Sequence, residues 1–185
     1  MSAGKILTII GGISGLFCTI MFHVFPNVFC LWRLDVWGHP LAENKVWIGG
    51  FGFRSGEESG KFIDPEYTER ILFLVLGLLI AVGGAIAIIG GIMENKIVGL
   101  LGGITMLAGI LGFIVGLIIE FGDFKELADH IAQFGGEGLL FGKSSKYIGF
   151  PLFSTITGEW SLGMGAYIAI EGSVTGLVGG LLIES

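Results

Sequence analysis

The chain has 185 residues, enough for one domain, and 52% of them are hydrophobic while only 14% are charged. Because an average soluble domain has about 25% charged residues, this composition indicates lipid rather than water around much of the surface. The formal net charge of −6 argues against nucleic acid as a partner, since a phosphate backbone attracts basic surfaces.

The first predicted element is a membrane-spanning helix over residues 6–25. Crossing ~30 Å of hydrocarbon takes about 20 apolar residues in a helix, and this run is preceded by Lys5 and followed by Pro26. A cleaved secretory signal begins in a similar way, but no small-residue cleavage site follows, and the run ends in bulky side chains. We therefore expect a helix that the protein retains.

The second and third predicted helices form a hairpin, which is the strongest local signal in the sequence. Asp64 is a natural N-cap and Pro65 suits the first helical position, so the second helix is predicted over residues 65–93. The polar residues 94–96 then make a tight turn, and the third helix is predicted over residues 97–119. Long uncharged stretches on both sides of so short a turn predict two antiparallel spans.

The fourth predicted helix covers residues 162–183. Four crossings place both termini and the turn at residues 94–96 on one side of the membrane, with loops 26–64 and 120–161 on the other. Lys5 and Lys96 are the basic residues of the short-turn side, so a simple count by the positive-inside rule would place the loops in the cytoplasm. The loops are also rich in acidic residues, and a folded unit can translocate regardless of its charge. We expect a multi-pass protein of the cell membrane with extracellular loops.

Glycine spacing predicts how the helices pack. Lipid tails are as apolar as leucine, so small residues that let backbones approach hold such bundles together. Glycines recur every seven residues in three of the predicted helices: Gly77, Gly84 and Gly91; Gly102, Gly109 and Gly116; Gly165, Gly172 and Gly179. A sustained seven-residue period indicates a left-handed supercoil, so the predicted fold class is an all-α membrane protein with a left-handed bundle of four transmembrane helices. The alternative is that glycine is simply frequent in membrane helices.

Period-two alternation predicts strands in the loops. Residues 28–36 alternate between apolar and polar side chains, and residues 45–54 form a second extended stretch. In the second loop we expect an amphipathic helix over residues 124–134, then a hairpin of strands 139–141 and 146–150. The two loops are thus predicted to form a small β-sheet on one side of the membrane.

This order of helices and loops resembles the claudin and peripheral-myelin-protein group of tetraspan membrane proteins. The resemblance covers the whole chain in topology and implies one small extracellular sheet above a left-handed bundle. In its motifs the chain departs from the family, whose first loop has a Gly-Leu-Trp sequence and two disulfide-bonded cysteines. Here Cys30-Leu31-Trp32 is the nearest match, and the loop holds one cysteine. The family's paracellular-barrier role is therefore not implied.

Glu171 is the residue that most strongly indicates a function. A charge at the bilayer centre costs at least ~2.5–3.5 kcal/mol on insertion scales, so such residues are functional candidates by default. Tyr167 and Thr175 lie one helical turn away on the same face, where they could donate hydrogen bonds to Glu171. Two interpretations remain open: a proton- or cation-binding group, as in rotary-ring proteolipids, or a neutral carboxyl that fixes helix register. We favour the second.

No other sequence pattern predicts a catalytic, metal or cofactor site. The two cysteines form no CxxC pair, the histidines lack metal-ligand spacing, and neither a nucleophile–base pair nor a nucleotide-binding motif is present. We therefore expect no enzyme, no catalytic residue, no metal and no cofactor.

The predicted function is that of a claudin-like structural or interaction protein. Its loop sheet would mediate self-association or assembly with a membrane complex, so the expected partners are the lipid bilayer and copies of the chain or other membrane subunits. Candidate contacts in the loop are Trp32, Trp37 and Trp47, for which anchoring at the membrane surface is the alternative. The alternative function is a proton- or cation-translocating subunit that uses Glu171.

Overall fold

A computed structural model describes residues 2–38, 41–58, 61–67, 71–133, 135–148 and 154–183. Its helices are α1 (Ala3–Ile20), α2 (Pro26–Phe29), α3 (Ile71–Ile92), α4 (Lys96–Ile119), α5 (Asp123–Gln133) and α6 (Met164–Leu181). Within these described ranges α1, α3, α4 and α6 are long and apolar enough to cross a membrane. The chain is therefore a multi-pass membrane protein, as predicted.

The turn between α3 and α4 is as short as predicted. Glu94 has a left-handed backbone with φ 53°, and the Asn95 side chain caps α4 by accepting from the Val98 backbone N at 3.1 Å. Lys5 of α1 reaches this turn, and its Nζ lies 2.8 Å from Glu94 Oε1. The hydrogen bond from Lys5, with its positive charge, lowers the pKa of Glu94. This contact ties α1 to the hairpin at the end of the bundle away from the sheet.

The predicted start of the second helix at Asp64 and Pro65 is wrong. Both residues lie in strand β4 (Lys61–Tyr67), and α3 begins at Ile71. The side chain that accepts from the first turn of α3 is Asp123 of α5, whose Oδ2 lies 3.0 Å from the Leu72 backbone N. A residue far along the chain thus does the capping that local spacing assigned to Asp64.

The four spanning helices pack as a ring in the order α1, α3, α4, α6, with little contact across the diagonals. All nine glycines of the seven-residue recurrence are buried, and several face the backbone of the neighbouring helix. A Cβ added to Gly84 would lie 2.7 Å from the Gly12 carbonyl oxygen, and one at Gly172 would lie 2.8 Å from that of Gly11. The helices therefore approach so closely that these positions have no room for a side chain. The left-handed crossing stays a prediction.

Three glycines of the recurrence contact the loops instead of another helix. A side chain at Gly77 would collide with the Phe51 backbone, one at Gly116 with the Phe124 ring, and one at Gly165 with the Phe29 carbonyl. These glycines lie toward the sheet end of their helices, so the recurrence also lets the loop segments settle onto the bundle.

The described strands form one six-stranded antiparallel sheet in the order β4-β3-β2-β1-β6-β5. The strands are β1 (Trp32–Gly38), β2 (Leu41–Ile48), β3 (Phe53–Glu58), β4, β5 (Phe141–Ile148) and β6 (Ser154–Leu162). Leu34 of β1 pairs with Val46 of β2 on one side and with Trp160 of β6 on the other. This pairing joins the segment between α2 and α3 to the segment between α5 and α6.

The strand boundaries differ from those predicted in the first loop. Val28 lies in the short helix α2, and the stretch 45–54 is divided by a turn at Gly50–Gly52 into β2 and β3. Phe51 at that turn has φ 60°. The position that reverses the chain is thus a phenylalanine in a conformation more typical of glycine, which explains why no turn was predicted there.

In the second loop the predicted amphipathic helix is confirmed as α5, while the hairpin at residues 139–150 is wrong. β5 runs through the predicted turn because β6 pairs with it along its whole length, from Phe141 opposite Ser161 to Ile148 opposite Ser154. Pairing with a neighbouring strand here outweighs the local turn preference. Residues 134 and 150, the predicted ends of that helix and hairpin, lie outside the described residues.

Large aromatic side chains fill the space between the sheet, α5 and the ends of the spanning helices. Trp32 is fully buried, and its Nε1 donates to the Leu139 carbonyl at 2.7 Å. The rings of Phe73, Phe113 and Phe124 pack together with centroids 4.8 to 5.9 Å apart. We call the six strands together with α5 the loop unit.

Candidate functional site

The outward faces of α1, α3 and α4 carry bulky apolar side chains at helical spacing. Exposed residues include Ile6, Ile10, Ile13 and Phe17 on α1, Val75, Leu78, Val82 and Ile89 on α3, and Leu101, Ile104, Leu111 and Val115 on α4. Such faces suit contact with lipid hydrocarbon.

The outward face of α6 differs, because it contains the acidic residue. Tyr167, Val174 and Val178 are exposed along this face, and Glu171 lies between them, also exposed. With a rise of 1.5 Å per residue, Glu171 is roughly 10 Å below the first residue of α6. Its carboxylate therefore lies well inside the hydrophobic span and points away from the bundle. We call Tyr167, Glu171, Val174, Thr175 and Val178 the α6 outer face.

Glu171 has one of the two predicted hydrogen bonds. Thr175 Oγ1 donates to Glu171 Oε1 at 3.0 Å, while in the described part of the chain no hydrogen bond joins Tyr167 to Glu171. The opposite side of α6 is sealed against α1, since Gly172 leaves no space between the two backbones. A carboxyl group in this position can accept further hydrogen bonds only from molecules outside the bundle.

Two of the three tryptophans predicted to contact a partner are core residues. Trp32 has no exposed surface and Trp47 is 6% exposed, with Trp47 packed against Phe22 and Cys30. Trp37 is half-buried, and Lys143 Nζ lies 5.3 Å from its ring centroid. The sequence pattern correctly located tryptophans in the sheet, but the hydrophobic effect buries two of them. Only Trp37 keeps its candidate role.

The two cysteines are free and buried. Burial raises the pKa of the Cys30 thiol to about 12, against the opposing charge of Arg33. Since the thiolate is the reactive form, Cys30 is inert at neutral pH. Among the residues that the structure describes, no three His, Cys, Asp or Glu side chains come together to hold a metal ion.

A groove that no sequence pattern indicated lies at the loop-side end of α6. Its volume is about 550 Å³, and its walls come from α2, β1, β5, β6 and the first turn of α6. Arg33 of β1 lines it and donates through Nε to Ser161 Oγ at 3.0 Å. No local pattern could have revealed a site whose lining comes from three separated stretches of the chain.

Comparison of the chain with models of known protein families gave no match, and comparison with curated protein sequences gave none either. The likeness to the claudin and peripheral-myelin-protein group therefore rests on the order of helices and loops, and it stays a prediction.

Proposed function

We propose that this chain is a structural membrane protein, without enzymatic activity, that associates laterally with a second copy of itself through the α6 outer face. The observation that carries the proposal is the exposure of Glu171 within the membrane-spanning part of α6. A charged group there costs at least ~2.5–3.5 kcal/mol in lipid. Covering the carboxyl group with a neighbouring helix that supplies hydrogen-bond donors lowers this cost.

A second copy suits this face because the face contains both donors and acceptors. In a two-fold contact the same surface is used by both subunits, so the Tyr167 hydroxyl of one copy approaches Glu171 of the other, while Thr175 keeps its hydrogen bond to Glu171 of its own chain. Both copies insert with the same orientation, and their α6 helices are therefore parallel and at matching depth. Hydrogen bonds between membrane helices contribute roughly 0.6–2 kcal/mol each, enough for reversible association.

The sheet edge above α6 supports the same proposal. β5 is an edge strand with Phe141, Lys143 and Tyr147 exposed, and Phe141 lines the groove together with Tyr167 of α6. The other edge, β4, is irregular: its register with β3 shifts between Arg54 and Gly56, around Pro65. Proline and bulges blunt an edge strand against pairing, whereas β5 pairs regularly with β6 along its whole length, so β5 is the edge proposed to meet another copy. The α6 outer face and β5 would then form one continuous contact.

Crosslinking within native membranes tests this proposal. Val174→Cys on the α6 outer face is expected to give disulfide-linked dimers under mild oxidation. The matched control, Leu78→Cys on the outward face of α3, should remain monomeric, and the buried native cysteines should not contribute. Equal crosslinking at both positions in native membranes would contradict the proposal. So would a monomer on sizing in mild detergent.

The loop unit is proposed to lie outside the cell, in line with the claudin-like order of elements. A tag inserted at residue 59, between β3 and β4, should react with an impermeant reagent in intact cells. A tag beside Asn95 should react only after permeabilisation. The reverse result would place the loop unit in the cytoplasm and leave the α6 contact unaffected.

A second candidate function is proton or cation binding at Glu171. The hydrogen bond from Thr175 at 3.0 Å and the exposure of the carboxyl group to the lipid side favour it. Dicyclohexylcarbodiimide should then label Glu171, and Glu171→Gln should abolish proton or cation flux in reconstituted vesicles. Unchanged flux in the Gln variant would exclude this function.

A further inference from the structure

We propose that the groove at the loop-side end of α6 binds the headgroup of an anionic phospholipid, with Arg33 as the ligand of its phosphate group. This inference requires only that α6 crosses the membrane. Tyr167 and Phe141, which line the groove, also belong to the contact proposed between two copies, so lipid binding is expected of the monomer and the two proposals are tested separately.

The groove lies at the end of the candidate membrane span of α6, which begins at Met164, so a crossing α6 would place it near the lipid headgroups. Met164, the first residue of α6, and Tyr167, one turn further on, form its membrane-side wall, with Val28 of α2 beside them. All three side chains are partly exposed. Arg33 and Ser161 belong to the sheet and form the opposite wall. A lipid placed here would therefore have its acyl chains against apolar side chains and its headgroup against Arg33.

Arg33 is the one charged residue in the described lining of the groove. Its Nε–H donates to Ser161 Oγ, which fixes the orientation of the guanidinium. A guanidinium has five N–H donors in a planar fork that matches the oxygens of a phosphate group. Because one donor is used by Ser161, the terminal nitrogens can bind phosphate in the bidentate way that makes such contacts strong.

The start of α6 adds to the positive potential. The N-terminal end of a helix carries a partial positive charge, and in the first turn of α6 the Gly165 N–H already donates to the Cys30 carbonyl at 2.9 Å. A soluble anion could use Arg33 equally well, but it would leave the apolar wall of Met164 and Val28 facing water. A phospholipid covers both walls, which is why we commit to the lipid.

The test counts lipids bound to the full chain in mixed micelles of phosphatidylglycerol and phosphatidylcholine by native mass spectrometry. Arg33→Gln is expected to lower the apparent affinity for phosphatidylglycerol about tenfold, as expected for loss of a charge-assisted contact, with phosphatidylcholine binding unchanged. Lys125→Gln is the matched control, because Lys125 of α5 is an exposed cation of the loop unit outside the groove lining and outside the proposed contact between copies. It should bind both lipids as the unmodified chain does.

Three results would overturn the inference: no loss in Arg33→Gln, an equal loss in Lys125→Gln, or displacement of phosphatidylglycerol by an equal concentration of inorganic phosphate. Arg33→Lys, which keeps the charge and loses the fork, should bind more phosphatidylglycerol than Arg33→Gln. Val174→Cys crosslinking repeated in the Arg33→Gln background should be unchanged, so a failure here is distinguishable from a failure of the dimer proposal.

Discussion

The helix bundle and the loop unit differ in what fills their interiors. In the bundle, helices meet at glycines, as where Gly84 faces Gly12 and Gly172 faces Gly11. In the loop unit, Trp32, Trp160 and Phe124 are nearly or fully buried between strands and helices. The bundle is surrounded by lipid, so burying large apolar side chains gains little there and close backbone contact dominates. The loop unit faces water, where apolar burial is worth roughly 25 cal/mol per Å².

This contrast predicts that the bundle is destabilised by adding a side chain and the loop unit by removing one. We expect the largest loss of stability in the bundle. Gly84→Leu should destabilise the protein by about 3 kcal/mol, because the added side chain has nowhere to go between α1 and α3. Thermal unfolding in detergent, followed by circular dichroism, measures the change. Val82→Leu, two residues earlier on the outward face, is the control and should leave the melting temperature unchanged. Similar losses in both variants would show that α3 is not packed as described.

In the loop unit two buried tryptophans differ in one hydrogen bond. Trp32 Nε1 donates to the Leu139 carbonyl, whereas Trp160 Nε1 has no partner among the described residues. Both lose ring volume on substitution by phenylalanine, but only Trp32→Phe leaves a buried carbonyl without its donor. We expect Trp32→Phe to cost about 1–2 kcal/mol more than Trp160→Phe in the free energy of unfolding. Equal costs would assign no net value to the 2.7 Å bond.

Glu171 is an exception to the apolar outward faces of the spanning helices. Its substitution tests whether a polar group on such a face stabilises contact with a second copy. If the α6 outer face binds a second copy, Glu171→Leu should weaken the dimer by about 1 kcal/mol, measured by energy transfer between labelled copies in lipid bilayers. The control is Thr105→Val on α4, whose hydroxyl bonds to its own helix at Leu101 O. Stronger association in Glu171→Leu would argue that the carboxylate opposes the contact instead of stabilising it.

The smallest expected effect on stability comes from the Lys5–Glu94 ion pair, at the end of the bundle away from the sheet. The contact with Lys5 lowers the pKa of Glu94 in the folded protein. The contact therefore stabilises the folded state at pH values above the unfolded pKa of about 4.3. This stabilisation is lost as the pH falls through the lower pKa of the folded state. The melting temperature should therefore drop slightly more between pH 7 and pH 3 in the unmodified chain than in Lys5→Gln. Identical drops would mean that the exposed pair contributes nothing measurable.

Some strands could have been found from the sequence. β6 alternates Ile156, Trp160 and Leu162 on its buried side with Thr157 and Glu159 on the other, which is the period expected of a half-buried strand. The fourth strand was hidden because Asp64 and Pro65 match a helix start as well as they match an edge strand with a bulge. Only the pairing of β4 with β3 distinguishes these two structures.

The sequence by itself determined that four helices are long and apolar enough to cross a membrane, where the α3–α4 turn lies and where α5 forms. These features depend on composition and spacing within one segment. The tertiary structure alone decided that Asp123 caps α3, that Trp32 and Trp47 are buried, and that Glu171 points away from the bundle. The reason is physical: lipid compatibility and helical period are local properties of a segment, whereas the direction in which a side chain points depends on which neighbours its element packs against.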